Sequence, residues 1–262
     1  MDSKTVVITG ASSGIGAVLA TQLAGQGHRV ALGARRAAEL AQVAGPLGPA
    51  AVAVPMDATS RSGNERLRDR AIEAFGQVDV WVCNAGRGIT RPVLDLTDED
   101  VDEILAVNLK SVLYGMQAIV PHFKARSAGH FITVSSFLGR VPIVGFRSIY
   151  SAAKAAANSL TANLRMDLAA SHPGIHVSLV IPGMVATEFG RKAIGGVPAV
   201  RPPARTVPAP QSPDEVAAVI AGVIETRAAE VYTNPAQAQT VARYYQDVAA
   251  FERGQPGAAP RG

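Results

Sequence analysis

The stretch "VVITGASSGIGAVLA", residues 6–20, decides how this chain is read. It opens with a short β-branched run, passes through three glycines, Gly10, Gly14 and Gly16, and continues with apolar residues at helical spacing. Strand, glycine turn and helix in that order form a mononucleotide-type unit, in which bare backbone turns sharply and approaches a pyrophosphate at a helix N-terminus. Gly10, Ser12, Ser13, Gly14, Ile15 and Gly16 are the candidate contacts of such a ligand. An ordinary strand-to-helix turn also accepts glycine, so the rest of the chain has to weigh the two readings.

Outward from this turn the same rhythm repeats. "HRVALGAR", "AAVAVPMD", "VDVWVCNAG", "GHFITVSS" and "GIHVSLVIPG" read as strands, and "AAEVYTN" as a short last one. Between them lie helical patterns: "AAELAQVAG", "RSGNERLRDRAIEAFG", a long helix from about Thr97 to Phe123 with Pro121 near its end, and a run from Tyr150 to Ala170. "SPDEVAAVIAGVIE" starts with Ser212 as N-cap and Pro213 in the first turn. Alternation of buried strands with helices implies an α/β fold, a doubly wound parallel sheet of about seven strands with helices on both faces. One domain is expected over residues 1–250. The Pro- and Gly-rich segment 190–211, with "RPPARTVPAP", breaks the rhythm and reads as a lid loop, and 251–262 as a disordered tail.

Composition narrows the function classes. Apolar residues make up 48% and charged residues 18% of the 262, the balance of a globular chain. The longest apolar stretches are short of a membrane span, and the start lacks a signal-peptide layout, so a cytoplasmic protein without a membrane role is expected. A net charge of +4 is spread over scattered arginines, which gives no basis for nucleic-acid binding. One cysteine, Cys83, and five scattered histidines supply neither a disulfide framework nor metal spacing, so no metal site is expected.

The second strand bears on the cofactor. An acid at its end would bind the 2′-hydroxyl of an NAD ribose, whereas an arginine there accommodates the 2′-phosphate of NADP. Ala34 fills the acid's place, and Arg35 and Arg36 follow. NADP (NADPH) is therefore the expected cofactor, with Arg35 on the phosphate and Arg36 stacking or screening; two surface arginines at a helix start would leave the missing acid unexplained.

"SIYSAAKAA", residues 148–156, puts Tyr150 and Lys154 one helical turn apart. With the T-G-x-x-x-G-x-G turn, "CNAG" at Cys83–Gly86, "VNLKS" around Asn108, "VSSFLG" around Ser136, and "IPGMVATEF", this chain resembles the short-chain dehydrogenase/reductase family, motif by motif and in the family's order. The resemblance runs from Thr9 to Thr187 and implies a single-domain Rossmann fold. Cys83 departs from the family by replacing its first asparagine, and reads as a small buried strand residue.

The resemblance implies a hydride transfer between nicotinamide and a small-molecule ketone or secondary alcohol. Tyr150 would be the general acid/base, its pKa brought down from the usual value near 10 by the Lys154 cation. Ser136 would hydrogen-bond the substrate oxygen, Asn108 would hold a water linking Lys154 to solvent, and Lys154 would bind the nicotinamide ribose. The interval from Ser136 to Tyr150 is one longer than the family's commonest, which suggests an insertion in "FLGRVPIVGFRS"; Ser135 remains the rival hydroxyl and would lengthen it further. Asp57 would flank the adenine, Asn84, Ala85 and Gly86 the adenosine ribose, and Pro182, Gly183, Val185 and Thr187 the nicotinamide.

Substrate walls are expected at Ser136, Phe137, Leu138, Met184 and Phe189. Arg87 and Arg147 lie near the motifs and either meet an anionic group or are surface arginines. A homodimer or homotetramer, paired through the two long helices, is implied by the family. Rival functions are an NADP-binding sensor without turnover, a lyase or isomerase on the same fold, and a hydroxy-acid dehydrogenase working oxidatively.

Overall fold

A computed structural model describes residues 3–196 and 209–254. Seven strands form one sheet: β1 (Thr5–Thr9), β2 (Arg29–Ala34), β3 (Ala51–Pro55), β4 (Val80–Cys83), β5 (Gly129–Val134), β6 (Ile175–Ile181) and β7 (Glu230–Tyr232). All pairings are parallel, in the order β3-β2-β1-β4-β5-β6-β7.

Both faces of the sheet are buried, which is why its strands read as nearly continuous apolar runs. Val6 and Ile8 point to one side, where they meet α1 (Gly14–Gly25), α2 (Ala37–Ala44) and α7 (Pro213–Thr226) through residues such as Leu19, Leu40 and Ile220. Val7 points to the other side with Trp81 and Phe131, and meets α3 (Arg61–Phe75), α5 (Ser111–Arg126) and α6 (Ser148–Ala169) through Leu67, Ile119 and Ala157. The chain order reverses between β1 and β4, so the carboxyl ends of these strands open a crevice at Gly10 and Asn84, the place where such sheets bind ligands.

The long helix forms as expected and carries a feature the spacing does not show: α4 (Asp98–Leu105) passes through a π-helical turn, Ala106–Lys110, into α5, so Asn108 sits in the wide turn. Thr97 is its N-cap, in a capping box with Asp100. Pro121 lies inside α5 near its end, as expected, and Ile119 and Phe123, both fully buried, hold that part of the helix on the sheet against the roughly 3 kcal/mol cost of a helical proline. The continuous helix 98–126 is long and apolar enough to cross a bilayer by composition, yet half of its most apolar window is buried inside this fold.

The C-terminal region departs from expectation. Two helices, α8 (Ala236–Gln246) and α9 (Val248–Arg253), follow β7, and α9 crosses into the segment expected to be a disordered tail. Phe251 packs against Tyr244, ring centroids 5.4 Å apart, beside the Phe137, Val141, Leu179 and Ile181 cluster. The remainder of that tail, 255–262, and residues 197–208 of the segment expected to be a lid lie outside the described residues. The described flanks of that segment are pinned: Ile89 pairs with Ile194 and Val185 with Gln211 in isolated bridges.

Candidate active site

The glycine turn is locked from beneath. Thr9 at the end of β1 accepts hydrogen bonds on Oγ1 from the backbone N–H groups of Asn84 (3.1 Å) and Ala85 (3.2 Å). Asn84 returns the contact, its Nδ2 donating to the carbonyls of Thr9 (3.1 Å) and Gly10 (3.3 Å). A Cβ on Gly16 would stand 2.6 Å from both Asn84 Nδ2 and the Gly10 oxygen, so only glycine lets α1 begin this close to β4. Gly10 adopts φ +69°, in the left-handed region that glycine tolerates.

Above the turn an open cleft of about 550 Å³ runs between Gly14, Ala17 and Val18 on one wall and Ala186, Thr187 and Arg191 on the other. Arg36 reaches over this end of the crevice, its Nη2 donating to Ser12 Oγ (2.9 Å) and Ser13 Oγ (2.7 Å). A guanidinium gathered with two hydroxyls at a helix start is a donor set suited to a phosphate monoester. Arg35 is exposed, whereas Arg36, expected only to stack or screen, is the arginine turned onto the loop. Asp57 spends Oδ1 on the backbone and hydroxyl of Thr59, both at 2.9 Å.

Deeper in the crevice Asn108, Ser136, Tyr150 and Lys154 are all buried. The Asn108 side chain is fully engaged. Its Oδ1 accepts from the Arg87 N–H (3.2 Å), and Nδ2 donates to the Arg87 carbonyl (2.9 Å) and the Ile104 carbonyl (3.0 Å). It therefore positions the 84–88 loop by direct contact. A Cβ on Gly86 would lie 3.2 Å from Asn108 Oδ1 and 3.8 Å from Lys154 Nζ, which puts the three residues around one point.

The two serines separate cleanly. Ser135 donates to Asn158 Oδ1, a buried bond that ties β5 to α6. Ser136 caps the short turn Phe137–Gly139, accepting from the Leu138 N–H at 3.2 Å, and its hydroxyl acts on Tyr150. Ser136 is thus the one facing the tyrosine.

The electrostatics differ from the expected picture. Lys154 Nζ donates to the Val134 carbonyl at 3.0 Å and lies 6.0 Å from the centre of the Tyr150 ring. Burial pulls the lysine pKa down to about 8. Burial also raises the Tyr150 pKa above its usual value, opposed first by the Ser136 hydroxyl and then by the Arg147 guanidinium. The expectation that Lys154 lowers the tyrosine is corrected for the chain alone: desolvation dominates, and the helping cation is Arg147. Tyr150 is held as a protonated phenol.

Of the expected substrate walls, Leu138 packs beside Tyr150, and the Phe189 ring lies 5.6 Å from the Tyr150 ring. Met184 is largely exposed. Phe137 is not free to line a pocket, because its side chain is packed against Val141, Leu179 and Ile181. Val185 is half-buried against the α1 side of the core, and Thr187 Oγ1 accepts from the Phe189 N–H at 3.3 Å. Pro182 is tied to the serine turn, its carbonyl accepting from the Phe137 N–H at 2.8 Å.

Two contributors escaped the sequence reading. Thr9 is the hub of the turn, although it stands in the quoted motif. Gln237 of α8 lies on Gly183, where a Cβ would come within 2.3 Å of its Nε2. The signal for this helix was "NP" at Asn234–Pro235: Asn234 Oδ1 accepts from the Ala236 N–H at 3.0 Å, an Asx turn that starts α8.

The short chain dehydrogenase family profile matches residues 4–195. An uncharacterized oxidoreductase of Staphylococcus epidermidis is 34% identical over 195 residues, covering 72% of this chain and 84% of that protein. Among solved structures, a short chain dehydrogenase/reductase from Burkholderia phymatum in complex with NAD superposes with a TM-score of 0.85 at 26% identity, covering 100% of this chain and 98% of that one. A short-chain dehydrogenase from Sphingobium yanoikuyae in complex with NADPH gives 0.78 at 26% identity, covering 98% and 100%. Relatives of this fold thus bind either dinucleotide.

Proposed function

The chain belongs to the short chain dehydrogenase family, and on that premise we propose that it is an NADP-dependent oxidoreductase acting on a ketone or secondary alcohol, with Tyr150 as general acid/base. The observation that carries the reading is the burial of Ser136, Tyr150 and Lys154 together at the carboxyl end of β5, next to the glycine turn.

A nicotinamide dinucleotide in the cleft supplies or accepts the hydride. The residues that would hold it are Gly10, Ser12, Ser13, Gly14, Ile15 and Gly16 at the turn, Arg36 with Arg35 nearby at the ribose phosphate, Asp57 and Asn84–Gly86 on the adenosine side, and Tyr150, Lys154, Pro182, Gly183, Val185 and Thr187 on the nicotinamide side. The preference for NADP is supported by the absence of an acid at Ala34 and by the Arg36 contacts with two serine hydroxyls.

The chain's own residues then divide the work. Ser136 donates to the carbonyl oxygen and stabilises the negative charge that grows there. Tyr150, kept protonated by its buried setting, gives its phenolic proton to that oxygen during reduction and takes it back during oxidation. Lys154, still cationic below about pH 8, would bind the nicotinamide ribose. Asn108 keeps the 84–88 loop in register. Leu138 and Phe189 keep water off the reacting carbonyl.

The same reading includes pairing of two copies through α5 and α6, whose shared outer groove carries Leu113, Met116, Val120, Leu160 and Leu164.

The test is to titrate purified protein with NADPH and NADH, then to follow the reduced-nicotinamide absorbance over a panel of ketones, 3-oxo esters and 3-hydroxy acids. Tighter NADPH binding with turnover is expected. Tight binding without turnover on any panel member would favour a sensor, and a preference for NADH would overturn the cofactor assignment.

A further inference from the structure

We infer that Arg147 selects the substrate: its guanidinium receives a carboxylate carried close to the reacting carbonyl, so that the preferred substrates are oxo acids and their hydroxy-acid counterparts. This rests on the hydride-transfer reading and narrows its substrate class.

Arg87, Arg91, Arg147 and Arg191 lie on the Phe189 side of the crevice, and three of these are neutralised by their own carboxylates. Arg87 pairs with Glu103, Arg191 with Glu188, and Arg91 with the buried Asp100 at 3.1 Å. Arg147 has no carboxylate partner among the described residues, and the sequence of segment 197–208 contains no aspartate or glutamate. It is half-buried, which makes an unbalanced charge costly and an arriving anion welcome.

The placement of the guanidinium is fixed. Nη1 donates to the Ile89 carbonyl at 2.9 Å, which leaves the other edge of the fork without an acceptor among the described residues. A Cβ on Gly88 would stand 2.8 Å from Arg147 Nη1 and 2.9 Å from Phe189 Cε1, and Phe189 in turn faces Tyr150. Arg147, Phe189 and Tyr150 therefore border one space, and Gly88 keeps its floor clear. Arg147 precedes Tyr150 by three positions at the start of α6, one helical turn along the same face. It is near enough to act electrostatically on the phenol.

The helix start adds to the attraction. Arg147 is the N-cap of the 22-residue α6, no side chain caps it, and its first turn has no acid. The positive end of the helix favours an anion near the same point. The carbonyl of such a substrate would sit at Tyr150 and Ser136, with the carboxylate one turn back toward Arg147.

The experiment compares matched pairs, a 3-oxo acid against its methyl ester and a 2-oxo acid against its methyl ester. It uses the full-length wild type, Arg147→Gln, whose amide can still donate to Ile89, and Arg147→Lys. Calorimetry with each acid and each ester on the NADP+ complex gives binding without turnover. Wild type is expected to favour the acid in both kcat/KM and binding. Arg147→Gln should cut the acid-to-ester ratio by roughly 10- to 100-fold, mainly through KM, and Arg147→Lys should recover part of it. A wild-type ratio near one, or acid and ester falling together in Arg147→Gln while melting temperature and NADPH binding are kept, would overturn the inference. Arg147-dependent binding of the acid without hydride transfer would uphold the anion site and sink the hydride-transfer reading instead; ketone turnover with no acid preference would do the reverse.

Discussion

The Lys154 ammonium lies 6.0 Å from the centre of the Tyr150 ring and donates its hydrogen bond to the Val134 carbonyl instead. Its burial has a measurable consequence. The folded-state pKa of about 8 lies below the ordinary lysine value of 10.5, so the unfolded chain binds the extra proton more readily between these values. The cost of burying the cation is fully present below about pH 8 and is relieved as pH rises toward 10.5. In cofactor-free protein, wild type should therefore gain stability relative to Lys154→Met over that window, by up to about 3 kcal/mol. Urea unfolding of both proteins at several pH values checks this; a difference that stays flat with pH would contradict it.

Arg36 and the serine pair at the turn give a second prediction. Arg36→Ala should weaken NADPH binding by roughly 10- to 100-fold and leave NADH binding within about threefold, because only the 2′-phosphate needs the guanidinium. Arg35→Ala should have the smaller effect, since Arg35 is exposed and away from the serine hydroxyls. Fluorescence titration with both dinucleotides reads the two outcomes.

Gly16 carries a third. Adding a methyl group there drives it into Asn84 Nδ2 and the Gly10 oxygen, each 2.6 Å from the new Cβ. Gly16→Ala should destabilise the fold by about 1–3 kcal/mol. It should also weaken both dinucleotides equally, unlike Arg36→Ala. Gly25→Ala, where a Cβ meets nothing within 4 Å, is the control and should leave the melting temperature unchanged or raised.

Thr9 supplies the fourth. Thr9→Val keeps the shape but leaves the Asn84 and Ala85 N–H groups without their shared acceptor. A loss of about 1–3 kcal/mol is expected. Faster hydrogen exchange should appear at the amides of Asn84 and Ala85.

The central strands were legible because they are buried on both faces: Val6, Val7 and Ile8 leave no polar alternation to confuse the reading. The motifs were legible because glycine spacing and the Tyr150–Lys154 interval carry geometry directly. The π turn at Asn108 was hidden, since apolar spacing continues through it and only the side-chain bonds to Arg87 reveal the wide turn. Helices α8 and α9 were missed because half of their apolar residues are alanines and none of their residues is buried; Tyr244 and Phe251 form much of their hold. Neither the choice between Arg35 and Arg36 nor the sign of the Tyr150 shift follows from residue order. The first depends on which side chain turns toward Ser12 and Ser13, and the second on how much water the fold removes.

The central claim is that Tyr150 exchanges the proton that accompanies hydride transfer. The most direct test is NADPH oxidation by wild type and Tyr150→Phe with the same ketone or oxo acid, beside NADPH dissociation constants for both proteins. The account predicts steady turnover by wild type, a rate at least about 100-fold lower in Tyr150→Phe, and retained NADPH binding. Turnover by Tyr150→Phe at the wild-type rate would contradict it.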